Sequence, residues 1–418
     1  MFEQALADHK FLISSSGQEY RKDYETICNL RLQEVSVLLT TPKSITSPVP
    51  HQYLQSLLTK IIDVNPELKK LNIRLVFSRD WWPNAYSMGE GTLVVNAGLM
   101  VFLSNEAELV FILCHELSHL YLDHGTKNIR NHIATINSEA FKNELKRLSK
   151  QDYGAGGELD KLAKKFAFSN RRHRREHEAE ADSHAFLLMK NTGFDCNGIT
   201  TCLKLLDKID DSLLFKPLKL DQVFNFPEYP FKIKWVKSES SIFAEMTLDD
   251  TANSSSDRDS LKTHPDCSQR IKFLEDSIKN IPSGSQFLVS KQVFNKLRSD
   301  LFLEMTEQQF RENNLTRNLY YNLQLLQNGL HVENAVHGIL RSLNVLYKSQ
   351  KEHTIGLHTE KEARGLPEDY NLLLRMIDRL KLGELGTIAY LFGQKYQSEM
   401  SGNALFAEES KISIINNK

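Results

Sequence analysis

Nowhere in the 418 residues does an apolar run approach the roughly 18–20 positions of a membrane-crossing helix, so no membrane span is expected. Met1–Lys22 is equally short of the apolar core of a secretory leader, since Glu3, Asp8 and Lys10 fall within it; a cytoplasmic location is the expectation. An excess of one charge is missing too. The 52 Lys and Arg against 53 Asp and Glu leave a formal net charge of −1, which removes the global field that would draw the chain to nucleic acid or an anionic membrane. Cysteine is scarce. Cys28, Cys114, Cys196, Cys202 and Cys267 are odd in number, widely spaced and without a C-x-x-C pair, which excludes a disulfide framework and a zinc ribbon. What these absences leave is an ordinary globular composition, 41% hydrophobic and 25% charged, long enough for two or three domains.

Proline and glycine are few, and so they are informative where they fall. Pro42, Pro48 and Pro50 make Thr41–Pro50 a linker, and Gln52–Val64 is an amphipathic helix stopped by Asn65-Pro66. Ile73–Phe77 reads as a strand. Gly89, Gly91 and Gly98 bracket Thr92–Val95, a second strand, taken as an exposed edge open to pairing with an extended peptide. Trp81-Trp82 is expected to anchor this region in the core. Asn105 opens a helix running through Leu109, Ile112 and Leu113; a polar helical stretch follows over about 126–190, and Asp250–Lys262 is a Ser-rich loop. From about 284, apolar residues recur at helical spacing through Phe294–Phe302, Leu319–Leu330, Ala335–Leu346 and Tyr370–Leu380. The expected fold is α+β and mostly helical. It divides into an N-terminal helical segment (1–48), a central domain with a small β-sheet (49–283) and a C-terminal helical module (284–418). The module has no fixed-period repeat, which leaves a tetratricopeptide-like arrangement open.

Chemistry concentrates in His115-Glu116-Leu117-Ser118-His119. Histidines four apart share a helix face, so their ring nitrogens can reach one Zn²⁺ at about 2.0–2.1 Å. Glu116 is placed to serve as the general base toward a metal-activated water. A catalytic zinc needs a third protein ligand. The metzincin spacing would put Gly at 122 and His at 125, where this chain has Leu122 and Gly125, so that subclass is excluded. Arg175-Glu176-His177-Glu178-Ala179-Glu180-Ala181-Asp182 supplies the alternative: Glu178 as ligand, and Asp182 four residues on, accepting a hydrogen bond from a ligand histidine. His124 reads as a structural or supporting histidine and Cys114 as core. The run Arg171–Arg175 reads as a solvated helix face.

With these residues the chain resembles the HtpX and CaaX prenyl protease family of zinc metallopeptidases, BepA-like members included, over about residues 70–275. The shared features are H-E-x-x-H at His115–His119, E-x-x-A-D at Glu178–Asp182, and an arginine three residues earlier, Arg175. Others are Asn84-Ala85, Gly89–Gly91, Thr92–Val95 and Gly98-Leu99, then Thr263-His264-Pro265 with Arg270. The resemblance implies a zincin-like domain of gluzincin type. It implies a supporting role for Arg270 and brings the loop of His264 to the site, where His264 would stabilise the oxyanion or, in a competing reading, hold the enzyme latent on the metal.

The function expected is zinc-dependent endopeptidase action on unfolded or extended polypeptides, with one Zn²⁺ per chain held by His115, His119 and Glu178. Relatives of the BepA type also append helical repeats, and a protein partner on the C-terminal helices is expected. The alternative from another class is a zinc-stabilised chaperone-like scaffold recruiting clients through those helices. Glu116 argues against it, because a purely structural metal site has no use for a general base.

Overall fold

The computed structural model describes residues 2–14, 20–148, 175–210, 215–237, 267–363 and 366–417. The chain forms two compact units, one from Met1–Asp207 with Ser255–Arg298, the other from Lys208–Ser254 with Ser299–Lys418. Among the described residues no helix is long and apolar enough to cross a membrane.

The first unit is built on a three-stranded sheet of order β1-β3-β2, with β1 Arg74–Ser78, β2 Ala85–Ser87 and β3 Thr92–Asn96. β1 runs parallel to β3 (Arg74 opposite Thr92) and β2 antiparallel to it (Ala85 opposite Val95). Every residue of β1 and β3 is buried, as expected of Leu-Val-rich strands covered on both faces. The expectation that Thr92–Val95 forms an edge is therefore corrected. β3 is the central strand, and β2, too short and polar to announce itself, is one edge. Gly91 makes the turn into β3 at φ +95°, and a side chain there would strike the Asn72 carbonyl.

Helices α1 (Phe2–Ser14) and α2 (Arg21–Thr40) form a hairpin in this same unit. Ala5, Val35 and Leu38 pack on Val76 and Val94 of the sheet, while Tyr24 and Cys28 meet Ile129 and Ile133 of α6 (His124–Asn137). α3 (Pro48–Val64) ends at Asn65-Pro66 as its sequence demands. α4 (Ala97–Phe102) leads into α5, Glu106–Tyr121. There Asn105 accepts a hydrogen bond from the Glu108 amide at 3.0 Å, and Glu108 accepts one from the Ser104 amide at 2.7 Å, so the first turn is capped from both sides. Residues 106–118 of α5 are all buried. Glu106 is tied down fully: its carboxylate accepts from the amides of Leu288, Val289 and Ser290 and from the Tyr53 hydroxyl, at 2.7–2.8 Å. α7 (Glu139–Leu148), α8 (175–189), α9 (Asn197–Asp210) and α10 (Cys267–Lys279) complete the unit. Trp82 departs from expectation: it is 53% exposed, outside the core.

The second unit is helical: α11 (Lys291–Arg311) enters it, followed by α12 (Leu315–Gln327), α13 (Val332–Lys351), α14 (Glu368–Arg379), α15 (Leu382–Tyr396) and α16 (Ala404–Asn416). Leu323, Ile339, Leu343, Leu373 and Phe392 form its core. Leu218, Phe224 and Trp235 join them from a segment far earlier in the chain, so the unit is not a colinear C-terminal block.

Candidate metal centre and active site

α5 carries His115 and His119 on one face, and α8 brings Glu178 to them. His115 Nε2 lies 3.1 Å from His119 Nε2 and 3.4 Å from Glu178 Oε2, and His119 Nε2 lies 3.5 Å from Glu178 Oε1. Bonds of about 2.0–2.1 Å to a tetrahedral ion put ligand atoms about 3.3–3.4 Å apart. The triangle therefore fits zinc, and the cluster can bind a metal ion.

The polar contacts around the two rings bear on their orientation. His115 Nδ1 sits 2.9 Å from Asp182 Oδ1, which turns Nε2 toward Glu178. Burial opposes charge on His115, yet Asp182 and Glu178 outweigh it and lift its pKa to about 10; the pocket favours positive charge at this point. His119 is held differently. Its Nδ1 lies 2.9 Å from His124 Nδ1, and His124 Nε2 lies 3.0 Å from Glu180 Oε2. Burial, only partly offset by Glu180, pushes the His124 pKa down to about 4, so the ring is neutral. One proton arrangement satisfies all four atoms: His124 Nε2–H donates to Glu180 and His119 Nδ1–H donates to His124. That leaves His119 Nε2 with a lone pair facing the point that His115 Nε2 also faces. His177 stacks on His124 at 4.2 Å and closes its other side.

Arg270, from α10, binds Asp182 through two hydrogen bonds of 2.6 and 2.8 Å and places Nη1 3.2 Å from Glu178 Oε2. Burial works to raise the Asp182 carboxyl, but the guanidinium outweighs it and keeps Asp182 below the usual carboxylate range; Glu178 is held well below it by both histidines and Arg270. The two carboxylates thus stay charged beside a fixed cation.

Glu116 faces a cleft of 320 Å³ shared with His115, His119 and Glu178, and accepts a 3.0 Å hydrogen bond from the Ser87 hydroxyl of β2. Ser87, Glu180 and Arg31 of α2, which also lines the cleft, escaped the sequence reading. Only tertiary contact gives them meaning, although Ser87 shares a strand face with Ala85 of the Asn84-Ala85 pair. His264 and Arg171–Arg174 lie outside the described residues. Cys114 is fully buried, with burial pushing its thiol far up, as suits a core residue rather than a ligand.

Residues 48–278 match peptidase family M48. The chain is 26% identical over 217 residues to the metalloprotease LoiP of Escherichia coli K12, covering 49% of this chain and 79% of LoiP. It is 28% identical over 133 residues to the metalloprotease YcaL of the same organism, covering 30% of this chain and 48% of YcaL. The match takes in the sheet, α5, α8 and Arg270, and on it the chain belongs to peptidase family M48 and is a zinc metallopeptidase.

Proposed function

We propose that the protein is an endopeptidase that hydrolyses unfolded or extended polypeptides, with one Zn²⁺ per chain held by His115, His119 and Glu178. The observation that carries this is the convergence of two histidine ring nitrogens and a carboxylate beside Glu116 in one open cleft. Zinc in such a site polarises the scissile carbonyl and lowers the pKa of water. Glu116, oriented by the Ser87 hydroxyl, takes the proton of the attacking water and delivers it to the leaving amine. Asp182 and His124 fix the ligand rings, and Arg270 keeps Asp182 and Glu178 charged. His264 is proposed as the oxyanion stabiliser on the resemblance alone. Ala85, Tyr86 and Ser87 of the short edge strand line the cleft, which supports an extended substrate lying alongside β2. A cytoplasmic location and a protein partner for the helices of the second unit are part of the same proposal.

The test pairs zinc analysis with degradation of an unfolded test protein by the wild type and by Glu116→Gln. The expected result is stoichiometric zinc in both, with cleavage only by the wild type, slowed at least a hundredfold by the substitution. Equal behaviour of the two proteins would return the scaffold reading to first place.

A further inference from the structure

We infer that Arg31 is a specificity-determining residue of the cleft, which reads a carboxylate on the substrate close to the scissile bond. The inference rests on the peptidase reading above and adds a substrate class to it.

Arg31 belongs to α2, far from both motifs in sequence, yet it lines the same cleft as Glu116, His119 and Glu178. Its guanidinium lies beside Gly125, another residue lining the cleft. A Cβ on Gly125 would stand in ordinary contact with Arg31 Nη1, at 3.6 Å, which places the guanidinium at the start of α6. The other cation of the site, Arg270, is consumed by Asp182 and Glu178. Arg31 is half-buried and, among the described residues, makes no hydrogen bond or ion pair. Neither Glu34 nor Glu90 forms an ion pair with it. Glu34 is exposed, three residues further along α2, and Glu90 is directed to Arg74, with 4.0 Å between Glu90 Oε1 and Arg74 Nη2.

A partly desolvated guanidinium with no ion-pair partner among the described residues, beside the reacting groups, is free to take a carboxylate of the substrate. Its planar fork matches a carboxylate in two parallel hydrogen bonds. In a polypeptide that group is an Asp or Glu side chain or the C-terminal carboxylate, and the chemistry of recognition is the same for both. A charge-assisted contact of this kind discriminates by about ten- to a hundredfold.

The experiment uses the zinc-loaded full-length chain and fluorogenic decapeptides of common sequence. Asp, Asn or Lys is placed in turn at each of the central positions, and the C-terminus is free or amidated. The expected result is one position, or the free terminus, at which the carboxylate raises kcat/KM about ten- to a hundredfold over its neutral counterpart. Loss with amidation assigns the terminal carboxylate; loss with Asn assigns the side chain. Arg31→Gln should erase the preference, and Arg31→Glu should turn it toward Lys at the same position, a reversal that structural damage cannot produce. Equal rates for Asp, Asn and Lys throughout and at both termini, or an Arg31→Glu variant slowed alike on every peptide, overturns the inference while the peptidase reading stands. Failure of the wild type to cleave both these peptides and an unfolded test protein sinks both.

Discussion

Replacing His124 by Ala tests whether the orientation of His119 is imposed from outside α5. The ring is 1% exposed, its Nδ1 is 2.9 Å from His119 Nδ1, and its Nε2 is 3.0 Å from Glu180. Without it, the His119 Nδ1–H loses its acceptor, and the imidazole is free to turn or to take the tautomer that puts a proton on Nε2. Loss of such a partner weakens metal binding by about 10–100-fold, or about 1.4–2.8 kcal/mol. Glu180 is the control. Its side chain is 60% exposed, and the amide oxygen of Glu180→Gln still accepts from His124, so that variant should lose only a few-fold. Zinc affinity is read by competition with a chromophoric chelator near neutral pH, where His124 stays neutral because its pKa is near 4, with circular dichroism confirming the fold. If His124→Ala binds zinc as tightly as the wild type while His119→Ala does not, the helix alone orients His119 and the relay has no role.

Two further outcomes follow from groups away from the metal. Glu106→Ala removes an acceptor shared by three amides and the Tyr53 hydroxyl, leaving several donors unsatisfied; it should cost about 3–5 kcal/mol in denaturant unfolding, and a loss under about 1 kcal/mol would show that water replaces the carboxylate. Burial tends to raise the Glu384 carboxyl, but the Lys381 amide with Lys232 and Lys234 outweighs it and lowers the pKa to about 2. A depressed folded-state pKa gives stability that is present above the ordinary carboxylate pKa and lost as pH falls toward 2. Unfolding followed between pH 6 and 2 should therefore show a steeper acid loss for the wild type than for Glu384→Gln, and parallel curves would count against the contact.

What was legible in the sequence was what the chain decides locally. The Asn105 cap, the stop at Asn65-Pro66 and the histidine pair on one face of α5 depend on neighbours within a turn or two. The pairing of strands was not legible, because the partner that makes β3 central is only three residues long and carries no β-branched run. Trp82 was misjudged because size suggests burial only on average. Ser87, Glu180 and Arg31 gain their roles from side chains dozens of positions away, beyond any periodic signal.

The ties around the metal site also bear on topology. His124 and Glu180 are 56 positions apart, and Asp182 and Arg270 are 88 apart, so the site joins three stretches of chain that an unfolded molecule would hold far from one another. An ion spanning the first two would act as a removable cross-link across a long loop, and closing longer loops withdraws more freedom from the unfolded ensemble. Loading with metal would then govern more than chemistry. A ligand that binds only the folded chain raises its stability, so a loaded chain would resist opening more than an empty one.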